Sequence, residues 1–347
     1  MITIKFSDNL EHKYKSFEEI LILDIYDDIT YINCNNIGLT RLPELPNSLI
    51  ELHCNYNKLS RLPKLPNSLI RFTCCYNNLL GLPKLPNFLT ELLCIDNNLS
   101  SLPELPNSLI TLLCYNNSLF SLPKLPNSLQ ELNCSANKLS SLPELPNSLK
   151  ILWCSDNSLS SLPTLPNSLE SLSCNYNNFS SLPELPNSLK TLYCWENNFS
   201  SLPELPNSLE SLSCNDNKLS GLPELPNSLQ EISCGNNNLS NLPKLPNSLT
   251  ILYCHDNSLS SLPKLPNTLT KIVCNNNKIS SLPKLPDSLE ILKCYNNKIT
   301  SLTKLPNSLT LFHYYNNPVF DHIEKHIDDN RRNHYEYQSH KKKGHVK

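Results

Sequence analysis

The sequence predicts a right-handed solenoid of about 15 short coils, with one continuous parallel β-sheet on its concave face and extended, polyproline-like segments on its convex face. Three observations lead there. A period of 20 residues runs through most of the chain, apolar and polar residues alternate at one phase of it, and two prolines recur at another. The repeat also sets the composition: 347 residues hold 28 prolines, 15 cysteines, 5 glycines and one methionine.

Cysteine marks the period most plainly. Cys34, Cys54, Cys74 and so on to Cys294 keep one spacing, and only Cys75 is off register. Prolines follow at Pro43 and Pro46, Pro63 and Pro66, through to Pro283 and Pro286, with Thr303 replacing the first member of the final pair before Pro306. The unit at residues 49–68 reads LIELHCNYNKLSRLPKLPNS, or L-x-x-L-x-C-x-x-N-x-L-x-x-L-P-x-L-P-N-S.

L-x-x-L-x-C-x-x-N-x-L resembles the signature segment of leucine-rich repeats, with Cys in the third apolar slot. The short unit ending in L-P-x-L-P is similar to the subtype found in secreted bacterial effectors of the YopM and IpaH kind. The Cys and Asn-Ser variant also resembles leucine-rich repeat proteins of giant DNA viruses. The resemblance covers residues 29–317 and implies a leucine-rich repeat solenoid with an internal asparagine ladder. It says little about function. The IpaH-like ubiquitin ligases carry a separate C-terminal catalytic domain, for which the short segment after Asn317 leaves no room.

The N-terminal cap, residues 1–28, comes first in the chain. Ile2, Ile4 and Phe6 alternate as in a strand, and Ser16 with Glu19 suggests a capping box. The array then runs over residues 29–317, its first unit degenerate because Ile37 stands where Asn recurs. Within a unit, Leu52 and Cys54 alternate with Glu51, His53 and Asn55, the period-2 pattern of a short strand with one buried face. Pro63 and Pro66 fix φ and remove donors, so the following segment is extended rather than helical. One coil buries too little apolar surface to offset the ordering of its own backbone, so the coils must stack. Asn57, Asn77, Asn97 and their equivalents to Asn317 then bond backbone groups that each turn leaves unpaired. After Pro318, Val319, Phe320, Ile323 and Ile327 recur at helical spacing, predicting a C-terminal capping helix over residues 318–330. A basic tail, residues 331–347, is expected to be disordered.

Sulfurs lined up in an apolar stack cannot converge tetrahedrally on zinc, and in-register parallel side chains point the same way, disfavouring disulfides. Buried free thiols are expected, with Cys75 alone facing solvent, in a reducing compartment such as the cytoplasm, in a host cell if the chain is an effector. His322 and His326 in HIEKH share a helical face but read as the solvated side of the cap, so no metal site is assigned. The five glycines are too far apart for a phosphate-binding GxxxxGK[ST] or GxGxxG loop. A net charge of -2 without a basic stripe argues against nucleic acid as the partner. No apolar run suggests a secretion signal or a membrane span. The recurring serines read as turn residues rather than nucleophiles. No enzymatic activity, cofactor or small-molecule substrate is therefore expected.

Information can sit only where the units differ. The exposed strand positions carry Leu93, Ile95, Leu113, Tyr115, Ile151, Trp153, Tyr193, Trp195, Ile251, Tyr253, Val273 and Tyr295, a set too apolar for idle solvent exposure. They are the candidate residues for a protein partner on the concave face. On the convex face Glu44, Glu104, Glu144, Glu184, Glu204 and Glu224 give way to Lys244, Lys264, Lys284 and Lys304. A binding scaffold is the leading expectation. A structural array or particle component, or a substrate-recruiting adaptor, is the alternative.

Overall fold

The computed structural model describes residues 1–319, so the expected C-terminal helix, His322, His326 and the basic tail lie outside the described residues. The described residues form a leucine-rich repeat solenoid divided into two compact units, the first covering residues 1–189 and the second beginning at residue 190. In the first unit β1 (Ile2–Lys5) and β2 (Glu11–Tyr14) form an antiparallel hairpin, and β1 also pairs antiparallel with β3 (Tyr31–Asn33). This hairpin covers the edge that the first coil would otherwise leave open. Parallel pairing then runs through β4 (Glu51–His53), β5 (Arg71–Thr73), β6 (Glu91–Leu93), β7 (Thr111–Leu113), β8 (Glu131–Asn133), β9 (Ile151–Trp153) and β10 (Ser171–Ser173). The second unit repeats the arrangement with β11 (Thr191–Tyr193), β12 (Ser211–Ser213), β13 (Glu231–Ser233), β14 (Ile251–Tyr253), β15 (Lys271–Val273), β16 (Ile291–Lys293) and β17 (Leu311–His313). Register partners are 20 residues apart, as Leu52 with Phe72 and Leu212 with Ile232, so equivalent side chains form columns.

Between the hairpin and β3 lies a short helix, α1 (Phe17–Leu21), whose Phe17 and Ile20 are buried. The capping box expected there does not form, because neither of its two reciprocal bonds between Ser16 and Glu19 is made. Glu19 accepts the backbone N–H of Lys15 at 2.8 Å, whereas Ser16 makes no side-chain cap bond.

Each coil closes on itself by the same devices. The N–H of Leu69 reaches the carbonyl of Pro66 at 3.2 Å, a tight turn after the second proline. Ser68 donates its hydroxyl to the Asn47 and Leu49 carbonyls of the preceding coil, both at 2.7 Å, and Ser148 and Ser288 repeat this. After each strand the chain turns through a left-handed residue, for example Tyr56 (φ 56°), Asp96 (φ 54°) and Asn236 (φ 50°). That conformation costs roughly 1–2 kcal/mol for a non-glycine residue. The asparagine that follows offsets it. Asn97 donates to the carbonyls of Cys94 and Ile95 in its own coil at 3.3 and 3.2 Å and of Cys74 in the coil before at 3.0 Å, while accepting the Leu79 N–H at 3.0 Å. Asn77 and Asn137 in the first unit, and Asn237 and Asn277 in the second, make the same four bonds.

The cysteine column lies in the core beside the leucines. Cys34 to Cys154 and Cys214 to Cys294 are free thiols, and Cys174 and Cys194 are buried with them. Contrary to expectation, Cys75 is also buried, at 6% exposure. It is a short side chain between Asn55 and Ile95 of the neighbouring coils, with its N–H donating to the Asn55 side-chain Oδ1 at 2.7 Å, and it sits below the level of those taller residues. Burial pushes its thiol up to about 11, and the Cys134 and Cys234 thiols up to about 12.

Two outcomes test this account. Asn97→Ala removes the partner of the Leu79 N–H and one partner of three carbonyls, at about 1–3 kcal/mol for each buried group left unpaired. Urea unfolding should therefore show a loss of about 3 kcal/mol or more, against about 0.5 kcal/mol or less for the exposed Asn47→Ala; equal losses would mean the ladder does not hold the coils. The second outcome is alkaline. Folding raises the thiol pKa values, so stability is fully present below the ordinary thiol value of 9.0 and is lost as pH climbs toward about 12. Under reducing conditions Tm should be flat at neutral pH and fall steeply above about pH 9, less steeply when Cys34, Cys134, Cys234 and Cys274 are replaced by Val. A Tm unchanged through that window would contradict a buried thiol column.

Candidate protein-interaction faces

The middle residue of each short strand is buried, and its two neighbours turn to the other side of the sheet. The candidate residues occupy these outward positions and the first position of the following turn. In the first unit Leu93 and Leu113 are register partners on β6 and β7, with Ile95 and Tyr115 following them in the turns. Leu93, Leu113 and Tyr115 are half-buried, and Ile95 is 8% exposed, so it forms floor rather than relief. Ile151 and Trp153 stand two strands further on, and Trp153 leaves 39% of its surface in solvent while its indole N–H reaches the Ser171 hydroxyl at 3.4 Å. The beginning of this face is polar. Arg71 pairs with Glu51, and His53 and Asn55 both bond the Thr73 hydroxyl, at 3.0 and 2.8 Å.

In the second unit Tyr193, 39% exposed, and the half-buried Trp195 lie on and just after β11. Ile251 and Tyr253 lie on β14, and Val273, 8% exposed, is the register partner of Tyr253 on β15. The Lys271 ammonium sits 4.8 Å from the centre of the Tyr253 ring, a cation–π contact within the face. Tyr295 stacks on Tyr315 with centroids 4.5 Å apart. Between the aromatic rows of β11 and β14 is a depression of about 250 Å³ lined by Tyr193, Trp195, Ser211, Ser213, Glu231 and Ser233. The candidate residues thus form two patches on each unit, separated by strands with small or polar side chains. A larger depression of about 720 Å³ lies at the N-terminal cap, beside Phe6, His12 and Asp28.

Among the described residues there is no group of three or more His, Cys, Asp or Glu side chains able to hold a metal ion, and no helix long and apolar enough to cross a membrane.

No family model and no curated protein matches the sequence. Solved structures do. YopM from Yersinia enterocolitica is 40% identical and superposes with a TM-score of 0.85, over 90% of this chain and 70% of that one. The leucine-rich effector YopM of Yersinia pestis is 41% identical, with a TM-score of 0.78 and 84% of each chain covered. The chain belongs to the YopM-like leucine-rich repeat family. The functional domain of InlJ from Listeria monocytogenes, which includes a cysteine ladder, shares the fold at 23% identity and a TM-score of 0.60, over 83% of this chain and 63% of that one.

Within this YopM-like array the structure adds exposed residues that the reading of the strands passed over. Phe88, 68% exposed, stands where other coils place the serine that bonds two carbonyls of the preceding coil. Leu80 and Phe120, also exposed, replace the serine that follows the buried Leu of the turn. Tyr56 and Tyr76 stack face to face at 4.4 Å from successive left-handed positions. In the second unit the same column is an amide ladder, in which Asn276 donates to Asp256 at 2.7 Å, Asn296 to Asn276 at 2.5 Å and Asn316 to Asn296 at 2.6 Å. Each departure was visible as a break in the 20-residue pattern, but lay outside the strand positions.

The split between core and face has a direct measure. Leu152→Ala empties a fully buried site and should cost about 2–5 kcal/mol in chemical denaturation. Its neighbour Trp153→Ala should cost about 1 kcal/mol or less, being on the solvent side. Equal losses would place Trp153 among the residues that hold the fold.

Proposed function

We propose that this YopM-like chain is a non-enzymatic protein-binding scaffold that grips a protein partner with the solvent face of its sheet. One observation carries the reading. The L-P-x-L-P segments offer nearly the same surface in every coil, whereas Trp153, Tyr193, Trp195 and Tyr253 break the repetition on the sheet face, with Trp153 and Tyr193 well exposed. A surface that repeats cannot define where a partner sits; a surface that varies can. Large aromatics contribute most of the binding energy at protein interfaces, and the unit around them contributes the rigid frame. Membership of a family of leucine-rich effectors supports a binding role for the array. The buried thiol column favours a reducing compartment, in keeping with action inside a cell.

Proximity labelling in the native cell would name the partner, and surface plasmon resonance with the purified pair would test the face. Trp153→Ala and Trp195→Ala should each weaken binding by about 2 kcal/mol, roughly thirtyfold, with the fold intact. Charge reversal of Lys264 and Lys284, on the opposite side of the coils, should leave affinity unchanged. The reverse pattern would move the contact surface to the proline-rich ridge.

A further inference from the structure

The depression on the second unit has a chemistry of its own. Tyr193 and Trp195 rise on one side, while the next two strands carry Ser211 and Ser213, then Glu231 and Ser233. Neighbouring strands are about 4.8 Å apart, so two successive coils of short side chains beside an aromatic row leave a notch rather than a flat face. Its volume of about 250 Å³ is below the roughly 300–1,000 Å³ of small-molecule pockets and suits one inserted side chain. Beyond the end of the Glu231 strand, outside the lining of the notch, the backbone is also closely packed. The His255 ring lies over Gly235, with its atoms 2.5–2.9 Å from where a Cβ would be, so only glycine at 235 lets the imidazole lie there. Its Nδ1 is 2.9 Å from the Asp256 carboxylate, which holds the ring in place.

Glu231 is the one ionisable carboxylate among the lining residues, and among the described residues it has neither an ion pair nor a side-chain hydrogen bond. Glu51, in the same column of the first unit, is by contrast paired with Arg71 and close to His53. A partner that covers the notch must take Glu231 out of water, and a carboxylate buried without a counter-charge is strongly unfavourable. An anionic group would be repelled, and an apolar one would leave the carboxylate unpaired. A cation satisfies it, and the adjacent aromatic rings favour one that can stack. Lys271 over Tyr253 shows the same face already holding a cation against a ring.

We propose that this notch receives an arginine side chain of the protein partner, its guanidinium paired with Glu231 and flanked by Tyr193 and Trp195. The inference rests on the sheet face being the contact surface and adds the charge of the residue it selects. The chain has two tryptophans, so NMR of the indole N–H signals separates the notch from a control site: Trp195 reports the first and Trp153 the second, assigned with Trp153→Phe. Titration with N-acetyl-arginine methylamide should move the Trp195 signal saturably and leave Trp153 still. The neutral isostere N-acetyl-citrulline methylamide should move it at least fivefold less. Glu231→Gln, with the rest of the spectrum unchanged, should weaken arginine binding at least tenfold, and Ser233→Phe, which fills the notch, should abolish it. Equal responses to arginine and citrulline, indifference to Glu231→Gln, or no saturable shift would each overturn the proposal. With the identified partner, a loss on Trp195→Ala but none on Glu231→Gln removes the notch and keeps the sheet-face reading. Indifference to Trp153→Ala, Trp195→Ala and Glu231→Gln removes both.

Discussion

One side-chain amide per coil holds the array together. In Asn97, as in Asn77 or Asn237, it ties the turn of its own coil to the strand end of the coil before it, and takes an N–H that would otherwise be buried unpaired. Those bonds make the left-handed residue beside it tolerable even where that residue is tyrosine, alanine or glutamate, as at Tyr56, Ala136 and Glu196. With the turn fixed, the three strand residues arrive in register, and everything on the sheet follows from that register. The first coil shows the dependence from the other side. Ile37 replaces the asparagine there, so this coil has no ladder amide of its own; Asn57 of the next coil accepts the Leu39 N–H, as in other coils, and takes the Ile37 N–H as well.

Cysteine suits the slot beside this amide because it is small, apolar and carries no hydrogen-bonding demand. Its carbonyl is one of those that the asparagine binds, so the residue serves the ladder with its backbone and the core with its side chain. The consequence is a column of thiols held far from ionisation by burial, as the raised values of Cys134, Cys234 and Cys274 record. A thiol kept protonated by burial is a poor nucleophile.

The same rigidity gives the outer face its meaning. A column on the sheet is a set of fixed posts, and a serine between two aromatic posts leaves space that neighbouring strands cannot close. The notch beside Tyr193 and Trp195 exists because β12 and β13 carry Ser211, Ser213 and Ser233 in a frame that does not collapse around them. Exposed Phe88 makes a complementary point: at that position the chain forgoes a hydroxyl bond that other coils keep, and shows a large apolar surface instead.

The 20-residue period by itself determined the solenoid, the strand phase, the parallel pairing and the buried thiols, because a pattern repeated at constant spacing admits only one register. It also assigned the aromatics to the outer side of the sheet, since alternation assigns a face without knowledge of neighbours. The left-handed turn is legible too, in the Asn and Asp that recur two residues after cysteine at Asn36, Asp96, Asp156 and Asn276. What only the tertiary structure decided is how deep each residue sits. Cys75, Ile95 and Val273 share columns with exposed residues and are nevertheless buried, because exposure on a sheet depends on the height of the side chains one strand away. The notch is of the same kind: Ser211, Ser213, Glu231 and Ser233 carry no signal in their own coils, and acquire a common role only when stacking sets them against Tyr193 and Trp195.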